Sequence, residues 1–358
     1  MSYTISITKS NHSRLSEIDF NHLPFGRFFT DHMFIADYSD GVWHDARIIP
    51  FSNLEMHPAS MVLHYGQAIF EGMKAFKNQH GEVIFFRPEM HSKRLNASAE
   101  RLCMPTLPQE LFLEALQQLV LLEQDWIPTL EDSSLYIRPF MIATDGFIGV
   151  RPSQTYQFII IVGPVGPYYA KPVKLHVEQQ YVRAINGGIG EAKAAGNYAA
   201  SLLPAKLAQE NGYDQVMWME APEFKYVQES GTMNIFFVID GKVITPSTDG
   251  AILKGITRDC IITILQDRGY EVEERPISID ELVAAHDAGT LQEAFGSGTA
   301  AVVSQIVEIS YQGETLKLPA LERSVVAPLA KSIIEGIRKG TIEDKFGWVV
   351  PVQMLEEV

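Results

Sequence analysis

The chain has 358 residues, with 29 Lys and Arg against 44 Asp and Glu, for a formal charge of −15. Its 46% hydrophobic and 20% charged composition is that of an ordinary globular protein and excludes a disordered, collagen-like or coiled-coil chain. The acidic balance argues against a nucleic-acid or anionic-membrane surface, because phosphate attracts clustered Lys and Arg, and the length suggests roughly two domains.

Residues 32–37 and 43–51 read as strands. Residues 72–77 and 83–87 flank NQHGE, which reads as a hairpin turn. A helix is expected over 88–102, with Pro88 at its first position. In 108–124, Phe112, Leu116, Leu119 and Val120 fall on one helical face. SLYIRPFMIA (134–143) and TYQFIIIVG (155–163) read as well-buried strands. GPVGPYYAKP (163–172) holds three Pro and two Gly, which excludes a helix or a central strand and reads as a linker. Beyond it come a helix-like stretch over 192–210, strands near 214–220 and 233–239, and a helical segment near 257–268. Helical 278–288, a strand at 292–296 and a helix near 325–338 follow. The pattern is α/β or α+β in two halves: an N-terminal domain over 1–162, a linker over 163–172 and a C-terminal domain over 173–358.

The opening twenty residues carry acidic groups and neither a basic region before an apolar one nor an Arg-rich pattern, so no secretory or mitochondrial leader is expected. The longest apolar runs, 158–162 and 235–239, are far short of the roughly 20 residues a membrane-spanning helix needs. A soluble cytoplasmic protein is the default. Cys103 and Cys260 form no CxxC pair, and with the His residues they show no zinc spacing; they are expected as reduced, buried thiols, with no metal.

The segment that points to chemistry is Tyr181–Ala199, YVRAINGGIGEAKAAGNYA. A P-loop needs Gly directly before its Lys, and Ala192 stands there. A dinucleotide-binding fingerprint counted from Gly188 needs Gly at the position of Lys193. Gly296 to Ala301 satisfies a loose GxGxxA, which is weak alone. What remains is Lys193 among small residues: Gly187, Gly188 and Gly190 before it, Ala194, Ala195 and Gly196 after it. Small neighbours let a flat cofactor approach the backbone. An apolar pocket lowers a lysine's pKa and makes the amine a nucleophile toward an aldehyde. On composition alone, a solvated helical lysine stays open as the alternative.

This segment resembles the lysine region of the branched-chain aminotransferases, pyridoxal-phosphate enzymes of fold type IV. Further segments follow that family's order: FGRFFTDHM (25–33), HYGQAIFEGMKAF (64–76), FRPEMHSKRLNASAERL (86–102), YIRPFMIAT (136–144), ESGTMNIFF (229–237), TPSTDGAILKGITRD (245–259) and AFGSGTAAVV (294–303). The resemblance spans about residues 25–350. It implies a small α/β N-terminal domain and a larger C-terminal pseudobarrel, with pyridoxal phosphate between them near the linker.

By the same resemblance, Lys193 forms the Schiff base and then moves a proton between the substrate α-carbon and the cofactor. Glu229 is the acidic partner of the pyridine nitrogen, and Arg94 binds the phosphate. Two loops, Gly255-Ile256-Thr257 and Gly298-Thr299-Ala300, are each expected at a helix entry, where backbone N–H groups favour an anion. Thr257 and Thr299 would add hydroxyl donors to the phosphate. Tyr198 would hydrogen-bond the cofactor's phenolic oxygen, Leu253 would pack on the ring, and Arg183 lies near the same site. Phe25, Tyr65, Tyr136 and Arg138 match positions around the side-chain pocket, and the backbone of Thr299 and Ala300 would take the α-carboxylate.

The implied reaction passes the amino group of leucine, isoleucine or valine to 2-oxoglutarate by a ping-pong route, in a homodimer or higher homo-oligomer where Tyr65 reaches the partner's site. D-amino-acid aminotransferase and aminodeoxychorismate lyase share the lysine and glutamate logic, but GQAIFEGMKAF favours the branched-chain group. A binding module without catalysis, for a nucleotide, is the other class. Ala301 and Ser304 stand where some eukaryotic members carry a redox-sensitive CxxC, so that switch is not expected.

Overall fold

The computed structural model describes residues 3–130, 132–166 and 171–353. It divides into two compact units. The first holds the described residues of Met1–Tyr168, together with Ala192–Gly196 and Gly336–Val358; the second holds those of Tyr169–Glu191 and Asn197–Glu335.

The first unit is built on one sheet. Its strands are β1 (Ser6–Ile7), β2 (His32–Ser39), β3 (Val42–Pro50), β4 (Ala68–Phe70), β5 (Met73–Lys77), β6 (Val83–Phe86), β7 (Ser134–Ala143) and β8 (Tyr156–Val165). They run in the order β1-β3-β2-β8-β7-β5-β6, with the late strand Val349–Pro351 added beside β6 and β4 paired to β7. The centre is β7 against β8, in register from Ser134↔Val165 to Ala143↔Tyr156. Three helices accompany the sheet: α1 (Met61–Tyr65), α2 (Pro88–Arg101) and α3 (Gln109–Leu122). Pro88 opens α2 as its sequence predicts, and α3 buries Phe112, Leu116, Leu119 and Val120 on the expected face.

Two prolines sit inside this sheet. Gly163, Pro164 and Val165, read as the start of a linker, extend β8 and pair with Tyr136, Leu135 and Ser134. Backbone groups alternate sides along a strand, and the Val162 carbonyl accepts from the Thr30 N–H on the β2 side. Pro164 therefore lacks its N–H on that side, where β2 pairs with β8 only as far as Ile161. Residues 167–170 of the expected linker lie outside the described residues.

Pro139 is in the middle of β7. Its carbonyl accepts from the Glu71 N–H at 2.7 Å, but it has no N–H to return. The ladder breaks there, and the partner strand divides into β4 and β5 around Glu71 and Gly72. Two glycines then make room. A Cβ on Gly163 would overlap the Phe28 carbonyl, and one on Gly72 would overlap the Tyr136 hydroxyl. The first lets residues 25–30 pass close over β8, which sets Phe25 edge-on to Tyr136 with ring centroids 4.8 Å apart.

Beyond Arg101, Cys103 takes a positive φ of 53° and is exposed, not buried as its residue type suggested.

The second unit contains β9 (Val173–Val177), β10 (Gln215–Met219), β11 (Val227–Ser230), β12 (Met233–Ile239), β13 (Lys242–Thr245), β14 (Val272–Glu274), β15 (Leu291–Gly298), β16 (Val302–Tyr311) and β17 (Glu314–Lys317). The order β11-β10-β9-β16-β15-β12 closes on itself because β12 also pairs with β11, which gives a six-stranded barrel without free edges among these strands. Leu175, Met217, Ile235, Phe237 and Ile306 belong to its core. The helix-like stretch from 192 resolves into α4 (Ala195–Ala200) and α5 (Leu202–Glu210), followed by α6 (Ile256–Asp267), α7 (Ile279–Asp287) and α8 (Val326–Lys339). The Glu293 carboxylate accepts from the N–H groups of Val325, Val326 and Ala327, which satisfies the start of α8. Among the described residues no helix is long and apolar enough to cross a membrane.

Gly163→Ala is expected to lower the unfolding free energy by about 2 kcal/mol, because backbone and not a flexible side chain fills the space. Denaturant unfolding followed by circular dichroism measures this, and a variant as stable as the parent would contradict the close approach.

Candidate active site

The first unit carries the lysine. Lys193 is not on a helix; it precedes α4 and is partly buried. Its backbone is held from two sides. The Phe70 N–H donates to the Lys193 carbonyl at 3.0 Å, and Ile69 and Ala194 form an antiparallel bridge. The Lys193 N–H donates to Ser98 Oγ at 2.9 Å, and that hydroxyl donates to the Arg94 carbonyl at 3.0 Å. The amine lies 5.1 Å from the Phe70 ring centroid. Strand β4 and helix α2 thus fix the lysine's main chain and leave its side chain beside an aromatic face.

Arg94 lies one turn before Ser98 on α2, and it does not point into solvent. Its Nε donates to Glu71 Oε1 at 2.7 Å and its Nη2 to Glu71 Oε2 at 2.9 Å. His91 Nδ1 lies 2.7 Å from Glu71 Oε2. Glu71 is fully buried. Burial alone would push its carboxyl up, but the Arg94 guanidinium and His91 outweigh burial and hold it well below the usual carboxylate range. Burial pushes the His91 imidazole down against the pull of Glu71, helped by the positive charges of Arg94 and Lys193.

Tyr136 and Arg138 stand two apart on β7 and so share a face. Arg138 Nη2 donates to the Tyr136 hydroxyl at 2.9 Å, and the guanidinium lies 4.6 Å from the Phe70 centroid. Arg138 Nε is buried with no hydrogen-bond partner. Phe25 joins this group through Tyr136. Among the described contacts none links Tyr65 to it: Tyr65 ends α1, 40% exposed, tilted against His64.

The second unit carries the carboxylate. Glu229 is buried in β11. Its Oε1 accepts from the Leu253 N–H at 3.1 Å and from Asn234 Nδ2 at 3.2 Å, and its Oε2 pairs with Arg183 Nε. Asn234 Nδ2 also reaches the Leu253 carbonyl at 2.9 Å, and Arg183 Nη2 the Gly190 carbonyl at 3.2 Å. A Cβ on Gly255 would overlap Asn234 Oδ1, so the glycine is needed for this packing. An open cavity of about 310 Å³ is lined by Gln228, Asp249 and Ile252.

Ile256 and Thr257 form the first turn of α6 with Gly255 as its N-cap, the helix entry the sequence suggests. Thr299 and Ala300 do not stand at a helix entry. They form the turn between β15 and β16, where Val302 takes a φ of 59°. The GxGxxA of 296–301 therefore leads from a strand into a hairpin, which is not the strand-to-helix turn of a dinucleotide fold. Ser297 Oγ, just before this turn, is buried with no hydrogen-bond partner. Tyr198 is on α4. Sequence reasoning did not single out Glu71, His91, Ser98 or Asn234. The FEGM and RLNAS segments contain two of them, but nothing in their residue type alone marks a buried pair.

Each unit by itself presents groups of the kind that a phosphorylated aromatic aldehyde would need. The first unit supplies an amine and a guanidinium. The second supplies a carboxylate held by an N–H, an amide and an arginine, together with a helix N-terminus.

A family model described as amino-transferase class IV matches residues 68–309, more than half the chain. The chain belongs to that family. It is 51% identical over 343 residues, 95% of this chain and 94% of that protein, to branched-chain-amino-acid aminotransferase 2 of Bacillus subtilis strain 168. It is 42% identical over 334 residues, 91% of each, to the branched-chain-amino-acid aminotransferase of Mycolicibacterium smegmatis. The crystal structure of the Escherichia coli branched-chain amino acid aminotransferase superposes with a TM-score of 0.75 at 28% identity, covering 90% of this chain and 99% of that one. That of Thermobaculum terrenum, in its pyridoxal-phosphate form, gives 0.72 at 26%, covering 92% and 100%.

Because the folded Glu71 carboxyl titrates below its unfolded value, its stabilising contribution is complete above that value, about 4.3, and declines as pH falls beneath it. The stability advantage of the parent over Glu71→Gln should stay constant near neutrality and shrink below about pH 4. Urea unfolding of both proteins across pH measures it, and a gap that widens on acidification would contradict the pairing.

Proposed function

We infer that the chain is a branched-chain amino-acid aminotransferase, moving the amino group of leucine, isoleucine or valine to 2-oxoglutarate with pyridoxal phosphate as cofactor. The observation that carries this reading is Lys193, fastened by its backbone to Ser98 and Phe70, in a chain half identical to named branched-chain aminotransferases. D-amino-acid aminotransferase and aminodeoxychorismate lyase chemistry is not favoured beside relatives of that identity.

When bound, pyridoxal phosphate supplies an aldehyde carbon that takes up the amino group and a ring that accepts electrons from the α-carbon. The protein supplies the rest. The Lys193 amine would hold the cofactor at its aldehyde carbon and would be the base that moves the proton of the substrate α-carbon. Glu229 holds a proton on the ring nitrogen, and its own oxygens are oriented by Leu253, Asn234 and Arg183. Arg94, the first turn at Ile256 and Thr257, and Thr299 hold the phosphate. Tyr198 would hydrogen-bond the phenolic oxygen, and Leu253 would pack on the ring.

Phe25 and Tyr136 border the pocket for the substrate side chain, and Tyr65, exposed at the end of α1, reaches the pocket of the partner subunit. Arg138, whose buried Nε has no partner, takes the distal carboxylate of glutamate when that is the donor. The backbone of Thr299 and Ala300 takes the α-carboxylate. The working assembly is a homodimer or larger, in the cytoplasm. Val150 is 91% exposed and Ile148 67%, with Phe147, Leu63 and Tyr65 also exposed in the first unit, an apolar content that association would cover.

Lys193→Ala should lower transfer from leucine to 2-oxoglutarate by at least about a thousandfold while the protein stays folded. A variant that retained turnover would refute the assignment. Arg138→Leu should raise KM for glutamate about tenfold, the scale of a lost charge-assisted hydrogen bond, and leave KM for leucine nearly unchanged. Equal rises in steady-state assays of the two donors would show that Arg138 does not read the distal carboxylate.

A further inference from the structure

We propose that Glu71 is the positioning residue of Arg94: its buried carboxylate fixes the direction in which the guanidinium meets the cofactor's phosphate. The inference rests on the reading that Arg94 takes that phosphate.

Glu71 is given no part in the chemistry above, yet it is the most completely partnered acid of the first unit's site. Arg94 Nε, Arg94 Nη2, His91 and the Gly72 N–H at 3.2 Å all address its two oxygens. Two parallel N–H···O contacts to one carboxylate leave a planar guanidinium no freedom to rotate. The Nε–Nη2 edge is committed to Glu71, so the carboxylate sets the plane and direction of the guanidinium.

The charges add a second point. The buried Glu71 carboxylate offsets the charge of the Arg94 guanidinium it pairs with. Arg94 therefore brings the phosphate an aimed donor edge and almost no net positive charge. An arginine used for attraction alone would be weakened by this partner; an arginine used for direction is improved by it.

Glu71 also closes a circuit. It follows Phe70, whose N–H holds the Lys193 carbonyl; Ser98 holds the Lys193 N–H and bonds the Arg94 carbonyl; Arg94 returns to Glu71. Arg94 and the main chain that carries the Lys193 amine are thereby set at a fixed offset. The position of Glu71 follows from the backbone: it stands opposite Pro139, where the missing N–H interrupts the ladder.

The test uses two variants and two ligands. Glu71→Gln removes the negative charge and sets an amide against Arg94 Nη2. Glu71→Asp keeps the charge but withdraws the carboxylate by one methylene. Dissociation constants of pyridoxal phosphate and of pyridoxal for the protein stripped of cofactor are measured by visible absorbance, with folding checked by circular dichroism. The dissociation constant of pyridoxal divided by that of pyridoxal phosphate reports the phosphate contact alone. Positioning predicts that both variants lower this ratio by about tenfold, the scale of a charge-assisted hydrogen bond. A ratio that rises in Glu71→Gln and is unchanged in Glu71→Asp would overturn the proposal and leave Glu71 as a charge balance. Should neither variant fold, His91→Ala, which removes one donor from the same carboxylate, should give a smaller fall, and an unchanged ratio would equally overturn it. Parent protein that binds neither ligand would instead refute the cofactor reading on which the proposal rests.

Discussion

The bond between Glu71 and Arg94 is the constraint on which the arrangement around Lys193 in the first unit depends. A carboxylate removed from water is costly unless its oxygens are occupied, and here both are. Satisfying it fixes helix α2 against the break between β4 and β5. That placement brings Ser98 to the Lys193 N–H and Phe70 to its carbonyl. Burial, ion pairing and the orientation of the lysine's main chain are one event here. A proline in the middle of a central strand, usually a fault, makes the gap into which the carboxylate turns.

The second unit follows a similar logic with other residues. Glu229 is held by a backbone N–H, an amide and an arginine, and a glycine gives the amide its room. A closed barrel makes such a strand-borne carboxylate rigid, because β11 is paired on both sides. In both units a buried carboxylate is oriented through neutral or opposite partners and not by net charge. This explains how a chain of charge −15 can hold an anionic cofactor. The surface repels anions in general, while a few buried donors select one geometry.

Much of this was legible in the sequence. Long segments with a clear period, such as 88–102, 108–124 and 134–143, carry their structure in local pattern, and the structure agrees with them. Lys193 was visible because small residues surround it on both sides. Glu71, Ser98 and Asn234 were not, because each is an ordinary polar residue until a distant strand or helix supplies its partner. Strands β9, β11 and β16 escaped for the same reason: Val302–Tyr311 mixes apolar and polar residues without strict alternation, since it pairs with three neighbours. The Gly-Thr pair at 298–299 misled, because a residue pair that suits a helix entry suits a hairpin turn equally well. Pro164 reads as part of a linker, and only the place where β2 stops shows why a strand tolerates it.

The most direct measurement is the site of covalent attachment. Holoprotein reduced with sodium borohydride and digested should carry the mass of the reduced cofactor on the peptide that contains Lys193, and on no other. The cofactor's mass on a different lysine, or bound cofactor that reduction fixes nowhere, would contradict the assignment of Lys193 as the reactive amine.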